Sequence, residues 1–508
     1  MQEKTEIFDF EDVSPNPEFL IKSIAEQGYS LETSLADLMD NSISAAATKI
    51  EILIRTDQEP FTLYLADNGN GMNEERLKSS MFFPSNSPES SREALDLGRF
   101  GLGMKTASFA QTRRFTVLSR LKGESTYSGR TWDVDYLKEK QKWHLIVNSS
   151  SEINLLVQEY IRLSEGHLNR FENFEANTIV IWQGLYKFEN YLEDENRQVA
   201  LRKEVTEITS DYLSLVFHRF MERKEDPLQI RINNNIIPPF NPFPTDQKDF
   251  RPMEYKQRHF STDTIKMEGF ILPSRSIDES KQRHSIWTTK NKGLMDMEGI
   301  YIYRANRIIL FGGWNGLIRK APRLQLARLR VDVGNSVDHL LHLNVAKSQV
   351  VIPHDLKNAF EDYIEELRIE AEREYFNRGL KRFVGKKKEN IAQLFERVAS
   401  SKGILLELNS EFAIIKALMS TMNRDQIALF GLISKMINTQ VNEIRQTHQN
   451  TDFTGIPEKD GIDISELEKC ISELKKRGLS SEIVREDILP GLGFNISSLP
   501  EHILNLIN

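Results

Sequence analysis

The chain has 508 residues, 39% of them hydrophobic and 28% charged, with a formal net charge of −8. That length accommodates roughly three domains, each with its own core, while the acidic balance argues against a chain built throughout to bind nucleic acid. One cysteine, Cys470, excludes an internal disulfide framework and a cysteine-rich zinc site. No apolar run reaches membrane-spanning length, and the opening MQEKTEIFDFEDVS lacks the basic and apolar regions of a signal peptide. A cytoplasmic protein with no membrane partner is expected.

LADLMDNSISAAA, residues 35–47, predicts a helix, with Leu31, Leu35, Leu38, Met39 and Ile43 at three- and four-residue spacings and no Gly or Pro. Asp37 and Asn41 stand four apart and share a face. That face is either a solvated stripe or a buried one, and burial would require partners for both groups. KIEILI (49–54) and FTLYLAD (61–67) predict neighbouring strands joined by the turn-rich TDQEP. The second strand ends in DNGNGM, Asp67 to Met72, which is either an ordinary turn or a carboxylate at a sheet edge beside Gly69 and Gly71. There the carboxylate would accept from a purine amine.

A polar stretch, FFPSNSPESSREALDL, leads into LDLGRFGLGMKTASFA (95–110), whose glycines 98, 101 and 103 precede a predicted helix. A glycine-rich turn opening a helix suits phosphate. Lys105 and Thr106 suggest a P-loop, but Met104 interrupts the G-K-[ST] order and no clear βαβ context surrounds it. RRFTVLSR (113–120) and NTIVIW (177–182) predict further strands. A long helix follows at about 196–222, then strands at LQIRIN, GIYIYRANRIIL and LLHLNVAKSQVVI. From 354 onward the pattern is helical. Phe61, Leu63, Leu65 and Trp132 are assigned to packing. The whole predicts a layered α+β architecture.

Two stretches carry cations without acids: 304–330, with Arg304, Arg307, Arg319, Lys320, Arg323, Arg328 and Arg330, and 378–388. They are either phosphate-contacting or solvated and internally paired.

The order of these motifs resembles the GHKL ATPase superfamily of gyrase B, the heat-shock chaperone, histidine kinases and MutL. GYSLETSLADLMDNSISAAA, DNGNGM, LGRFGLGMKTASF, FTVLSR, RTWDVDYL, GIYIYRANRIIL and NVAKSQVV look most like its prokaryotic MORC-like branch. The resemblance implies an N-terminal segment (1–19) that straps a dimer, and a GHKL (Bergerat) ATP-binding α/β sandwich (20–184). A transducer-like α/β domain (185–353) and an α-helical C-terminal interaction region (354–508) would follow.

The same resemblance makes Asp37 the general base and Asn41 the Mg²⁺ contact. Asp67 becomes the adenine-reading carboxylate, with Gly69, Gly71 and Met72 in the base pocket. Residues from about 82 to 103 become the ATP lid, and Gly101, Leu102, Gly103, Met104 and Lys105 its phosphate end. Thr178 matches the threonine after a family glycine that Asn177 replaces here. Lys347 is the expected γ-phosphate lysine of the transducer, or a surface lysine after a strand. Family members often carry Glu at the Asp37 position, so the shorter side chain (by roughly 1.5 Å) implies slow turnover. Ser44 stands where an Asp is frequent.

The function implied is a Mg²⁺-dependent ATPase that dimerises when ATP is bound. It would clamp DNA through 304–330 and 378–388, in prokaryotic genome defence with a partner effector held by the C-terminal region. A protein-remodelling or scaffold ATPase, and a binding-only ATP switch, are the alternatives.

Overall fold

The structure, a computed structural model, describes residues 14–26, 28–83, 102–190, 192–247, 249–260, 263–282, 284–334, 354–381, 394–400, 403–447, 464–476, 480–485, 489 and 499–507. Two compact units result: Met1–Lys320 with Leu324–Ile369, and Ala321–Arg323 with Glu370–Asn508. The expected Lys347 and Gly101, the polar stretch 84–101 and the basic residues 382–388 lie outside the described residues.

The first unit opens with helices α1 (Pro17–Ala25) and α2 (Leu31–Ser44), then strands β1 (Lys49–Arg55) and β2 (Thr62–Asp67). The Ser30 amide donates to Thr33 Oγ1 at 3.0 Å, satisfying an end group of α2. Ala46, at φ +60°, turns the chain out of the helix. Helices α3 (Glu74–Ser80) and α4 (Gly103–Phe109) lead to β3 (Thr112–Ser119) and β4 (Ser128–Asp133). Then come α5 (Val134–Lys140), β5 (Ile146–Val147), α6 (Ser150–Glu165), β6 (Thr178–Leu185) and α7 (Tyr186–Glu189).

The predicted long helix is present as α8 (Asp194–Lys203), a π-helical segment at Glu204–Thr209, α9 (Ser210–Val216) and α10 (His218–Met221). Strands β7 (Gln229–Ile232) and β8 (Asn235–Ile236) complete an eight-stranded sheet of order β5-β4-β3-β6-β2-β1-β7-β8. LQIRIN, assigned above to the second α/β domain, therefore belongs to the first sheet, where β7 runs parallel to β1.

Both faces of this sheet are covered. Ile52, Leu63, Leu65, Val117, Val180 and Trp182 pack with Leu35, Leu38 and Met39 of α2, and Phe61 and Trp132 join the same core. Leu53, Tyr64, Ala66 and Ile179 pack on the other side with Ile153 and Tyr160 of α6. Double coverage explains why every residue of β2 is buried and why its sequence reads as a nearly continuous apolar run. On the α6 side Glu51 meets Arg231 at 2.5 Å, both side chains fully buried, and Tyr160 donates to Glu51 at 3.0 Å.

The second sheet uses β9 (Arg251–Pro252), β10 (Lys256–Phe260), β11 (Asp263–Ile271), β12 (Gly299–Arg304), β13 (Arg307–Phe311) and β14 (Ala327–Val333), with short helices α11 (Ser276–Glu279) and α12 (Leu294–Met297). Its order is β10-β11-β14-β12-β13, with β9 on β11. Phe243, Phe250, Phe270 and Tyr301 form its aromatic centre. GIYIYRANRIIL is the β12–β13 hairpin, turning at Ala305 and Asn306, both at positive φ.

Helix α13 (His354–Lys381) begins the helical remainder. One hairpin interrupts it in the second unit, β15 (Phe395–Ser400) with β16 (Gly403–Leu408). Helix α14 (Ala413–Met419) and the longer α15 (Arg424–Thr447) follow. Asn442 both donates to the Leu406 carbonyl (2.8 Å) and accepts from its amide (3.0 Å), covering the outer edge of β16. Among the described residues no helix is long and apolar enough to cross a membrane.

Candidate functional site

Strand register assembles one end of the site. Asp67 lies opposite Thr178 across β2 and β6, and Thr178 lies opposite Ser119 across β6 and β3. The Asp67 carboxylate is buried; Oδ2 accepts from Ser42 Oγ at 2.8 Å and Oδ1 from the Gly69 amide at 2.9 Å. Burial pushes its pKa up to about 6, with the Gly69 amide and the Ser42 hydroxyl pulling the other way. Thr178 and Ser119 share a hydroxyl–hydroxyl bond of 2.9 Å, and Ser119 Oγ also accepts from the Met72 amide at 2.9 Å.

The two glycines expected to admit a base are also required by the fold. A Cβ on Gly69 would stand 2.8 Å from the Ala45 carbonyl oxygen, and one on Gly71 (φ +67°) 1.8 Å from that of Arg120. The chain's own backbone fills those positions, locking the DNG turn between the end of α2 and the end of β3. Asn177, where the resemblance implies a glycine, donates from its side chain to the Gly69 carbonyl at 2.8 Å.

At the other end Asp37 is buried and Asn41 exposed, although both lie on the same stripe of α2. Asp37 Oδ2 accepts from Tyr29 Oη at 2.7 Å. Its Oδ1 lies 3.4 Å from Nη1 of Arg307, and the same Nη1 donates to Asp40. Burial works against the Arg307 charge, but Asp40 and Asp37 outweigh it and raise its pKa. Burial beside these carboxylates also raises the Tyr29 pKa and pushes that of Tyr212 up to about 12. Asn41 Nδ2 donates to the Asp37 main-chain carbonyl at 3.1 Å, leaving the amide oxygen as the acceptor that a cation would use.

Helix α4 brings Gly103 alongside: a Cβ there would be 3.6 Å from Asp37 Oδ2. Leu102 precedes this helix, its carbonyl accepting from Thr106 Oγ1 at 3.1 Å, and Met104 is half-buried. Lys105, expected at the phosphate end, is buried, and its ammonium donates to the Ser80 carbonyl at the end of α3 at 2.8 Å. Desolvation lowers its pKa to about 8.

The site thus brings together Asp37, Asn41, Asp67, Gly69, Gly71, Met72, Gly103 and Thr178 around α2, β2 and β6. Sequence reasoning missed Tyr29, Asp40, Ser42, Ser119 and Arg307. Asp40 carried a signal, since it stands three residues from Asp37 inside the same apolar pattern. In the sequence Arg307 belongs to the basic stretch 304–330, read as either phosphate-contacting or solvated and internally paired. In the structure Arg304, Arg307 and Arg328 are buried, Arg330 pairs with Glu268, and Arg323 pairs with Glu372. Arg319 and Lys320 of that stretch remain exposed.

Two buried carboxylates thus lie against one helix, Asp37 in the middle of α2 and Asp67 at the end of β2, joined to the last turn of α2 through Ser42. Residues 29–165 match the family described as histidine kinase-, DNA gyrase B- and HSP90-like ATPase, so this stretch is a domain of the GHKL ATPase superfamily. The chain is 24% identical over 151 residues to the chaperone protein HtpG of Rickettsia prowazekii (strain Madrid E), covering 28% of this chain and 23% of that one. It is 29% identical over 109 residues to HtpG of Rickettsia akari (strain Hartford), covering 20% and 17%. The chain therefore spans less than a quarter of the length of these curated relatives.

Proposed function

We propose that this protein is a Mg²⁺-dependent ATP-binding and ATP-hydrolysing switch. The observation that carries the reading is the placement of two buried carboxylates against one helix. Asp37 lies on α2, and Asp67 is tied to the same helix through Ser42, five residues or about 7.5 Å further along. Asp67, with Thr178 and Ser119 beside it, supplies an acceptor for the adenine amine. Asp37 supplies the acceptor that orients and deprotonates water at the far end.

Asn41 and the nucleotide's own phosphates fit Mg²⁺, an ion that keeps several waters and needs few protein ligands. When bound it would neutralise phosphate charge. Exposure of the Asn41 side chain and the commitment of its amide nitrogen to the Asp37 carbonyl suit that role. The lid at 82–103 and Lys347 complete the reading from the resemblance.

The test is phosphate release from ATP with Mg²⁺ by wild type, Asp37→Asn and Asn41→Ala, with ATP affinity measured in parallel. Turnover by wild type, together with ATP binding but no turnover by Asp37→Asn, is the expected result. Three equally inert proteins that still bind ATP would replace the reading with a binding-only switch.

For the output of the cycle, we carry forward an ATP-dependent homodimer. A clamp on DNA in prokaryotic genome defence rests, within 304–330, on exposed Arg319 and Lys320; it predicts binding that weakens steeply with salt. A protein-remodelling role is favoured instead by the chaperone relatives. Exposed Leu429, Leu432, Ile433 and Met436 on α15 also favour it, as an apolar stripe suited to a protein partner. Capture of protein but not DNA by the full chain would decide for remodelling.

A further inference from the structure

We propose that Arg307 is a positioning residue for the Asp37 carboxylate, with Asp40 as its anchor, so that a side chain of the second sheet sets the geometry of the base. This rests on the ATPase reading of Asp37. The contact joins positions 270 apart in sequence, and all three side chains are nine-tenths or more buried. Asp37 and Asp40, three apart on one helix, would repel each other in a buried setting. One guanidinium nitrogen between them offsets that repulsion.

The two contacts are unequal. Arg307 sits tightly on Asp40 and stands 3.4 Å from Asp37 Oδ1, while Tyr29 holds the opposite oxygen at 2.7 Å. Asp40 thus fixes the arginine, and the arginine with Tyr29 fixes the plane of Asp37. Such control bears directly on a base one methylene shorter than the family's usual Glu, because a misplacement of about 1 Å costs on the order of 100-fold in rate.

The hairpin that delivers Arg307 is itself constrained. Ala305 (φ +45°) and Asn306 (φ +69°) make a tight turn between Arg304 and Arg307, and Ala305 packs on the core of the first sheet. The Phe217 ring lies 5.7 Å from the guanidinium. A second grip lies nearby: Asn291 donates from its side chain to the Glu207 carbonyl in the π-helical segment (3.2 Å) and from its amide to Asp211 (2.6 Å). Residues following the first sheet therefore hold both α2 and the helix packed against it.

The experiment measures kcat, KM and ATP affinity for wild type, Arg307→Lys, Arg307→Ala, Asp40→Asn and the Arg307→Ala/Asp40→Asn double variant, with thermal melting to confirm folding. Arg307→Ala is expected to lower kcat about 10- to 100-fold while ATP affinity changes less than about threefold, with partial recovery in Arg307→Lys. Asp40→Asn is expected to lower kcat as well, and the double variant to be no worse than Arg307→Ala alone. An unchanged kcat in folded Arg307→Lys and Asp40→Asn would overturn the proposal, as would additive losses. So would an affinity loss matching the kcat loss, which would place Arg307 on the nucleotide. Absence of phosphate release by wild type would instead remove the ATPase reading itself.

Discussion

Ser42 Oγ donates to Asp67 Oδ2 at 2.8 Å, tying the last turn of α2 to the end of β2. Burial without a cation raises the folded-state pKa of Asp67 from 3.8 to about 6. A carboxyl raised in this way favours the folded state at low pH, and that contribution is lost as pH rises through about 6. Asp67→Asn should therefore stabilise the nucleotide-free protein at pH 7, by roughly 1–3 kcal/mol, and should weaken ATP binding by tenfold or more, on the order of one lost charged acceptor. Urea denaturation and nucleotide titration of the same preparation check both. In wild type, ATP affinity should fall as pH drops below about 6, because a protonated Asp67 is a poorer acceptor.

Gly71 and Gly123 offer a matched pair. Both have positive φ, +67° and +90°, but a Cβ meets the Arg120 carbonyl at 1.8 Å in the first case and nothing within 4 Å in the second. Gly123→Ala should cost about 1 kcal/mol from backbone strain alone. Gly71→Ala should cost several-fold more, on the order of 3 kcal/mol or above, because β3 must move. Equilibrium unfolding of the two variants gives the comparison directly.

Lys105→Met separates two roles for one lysine. With its ammonium held by Ser80, the substitution should change ATP affinity less than about threefold. Because burial lowers the Lys105 pKa from 10.5 to about 8, the unfolded chain holds that proton more tightly. Its contribution to wild-type stability rises with pH between those values and is lost as pH falls. Stability profiles of wild type and Lys105→Met should diverge across that window. A large affinity loss would return Lys105 to the phosphates.

The pair beneath α6 is predicted to be structural. Arg231→Ala would remove the guanidinium from the fully buried Glu51 carboxyl, at a cost of about 3–5 kcal/mol. Replacing both residues together, Glu51→Leu with Arg231→Met, should recover most of that loss. Chemical denaturation reads the cycle, and the ATP affinity of the folded double variant should match wild type.

Much of this site was legible because its chemistry is local. The helix with Asp37 and Asn41, the strand ending at Asp67 and Gly103 at the start of α4 all announce themselves within short windows, through spacing and turn chemistry. Thr178 became legible only through the family pattern, since its role depends on β2–β6 register. What the residues alone did not disclose is what sequence distance hides. Arg307 reads as one cation in a basic run, and nothing in RANR says that Asp40 awaits it 267 positions away. Gly69 and Gly71 read as places of close approach from sequence, but that the Ala45 and Arg120 carbonyls approach them depends on contacts no short window shows. LQIRIN was a clear strand whose sheet could not be read, because an apolar run of that length pairs equally well with either.

That misplaced strand has a consequence for how the protein is made and cut. β1 pairs on one side with β2 and on the other, in parallel, with β7, which comes from residues 229–232. A fragment ending at 184, or a nascent chain that has only reached that point, carries the KIEILIR strand with one ladder of amide and carbonyl groups bare. Such an open apolar edge invites pairing with other chains. Synthesis must proceed some fifty residues past β6, to about Ile236, before the nucleotide-binding layer can close. A piece that closes this sheet therefore ends no earlier than β8, and one that also keeps Arg307 on Asp37 and Asp40 must continue through β13.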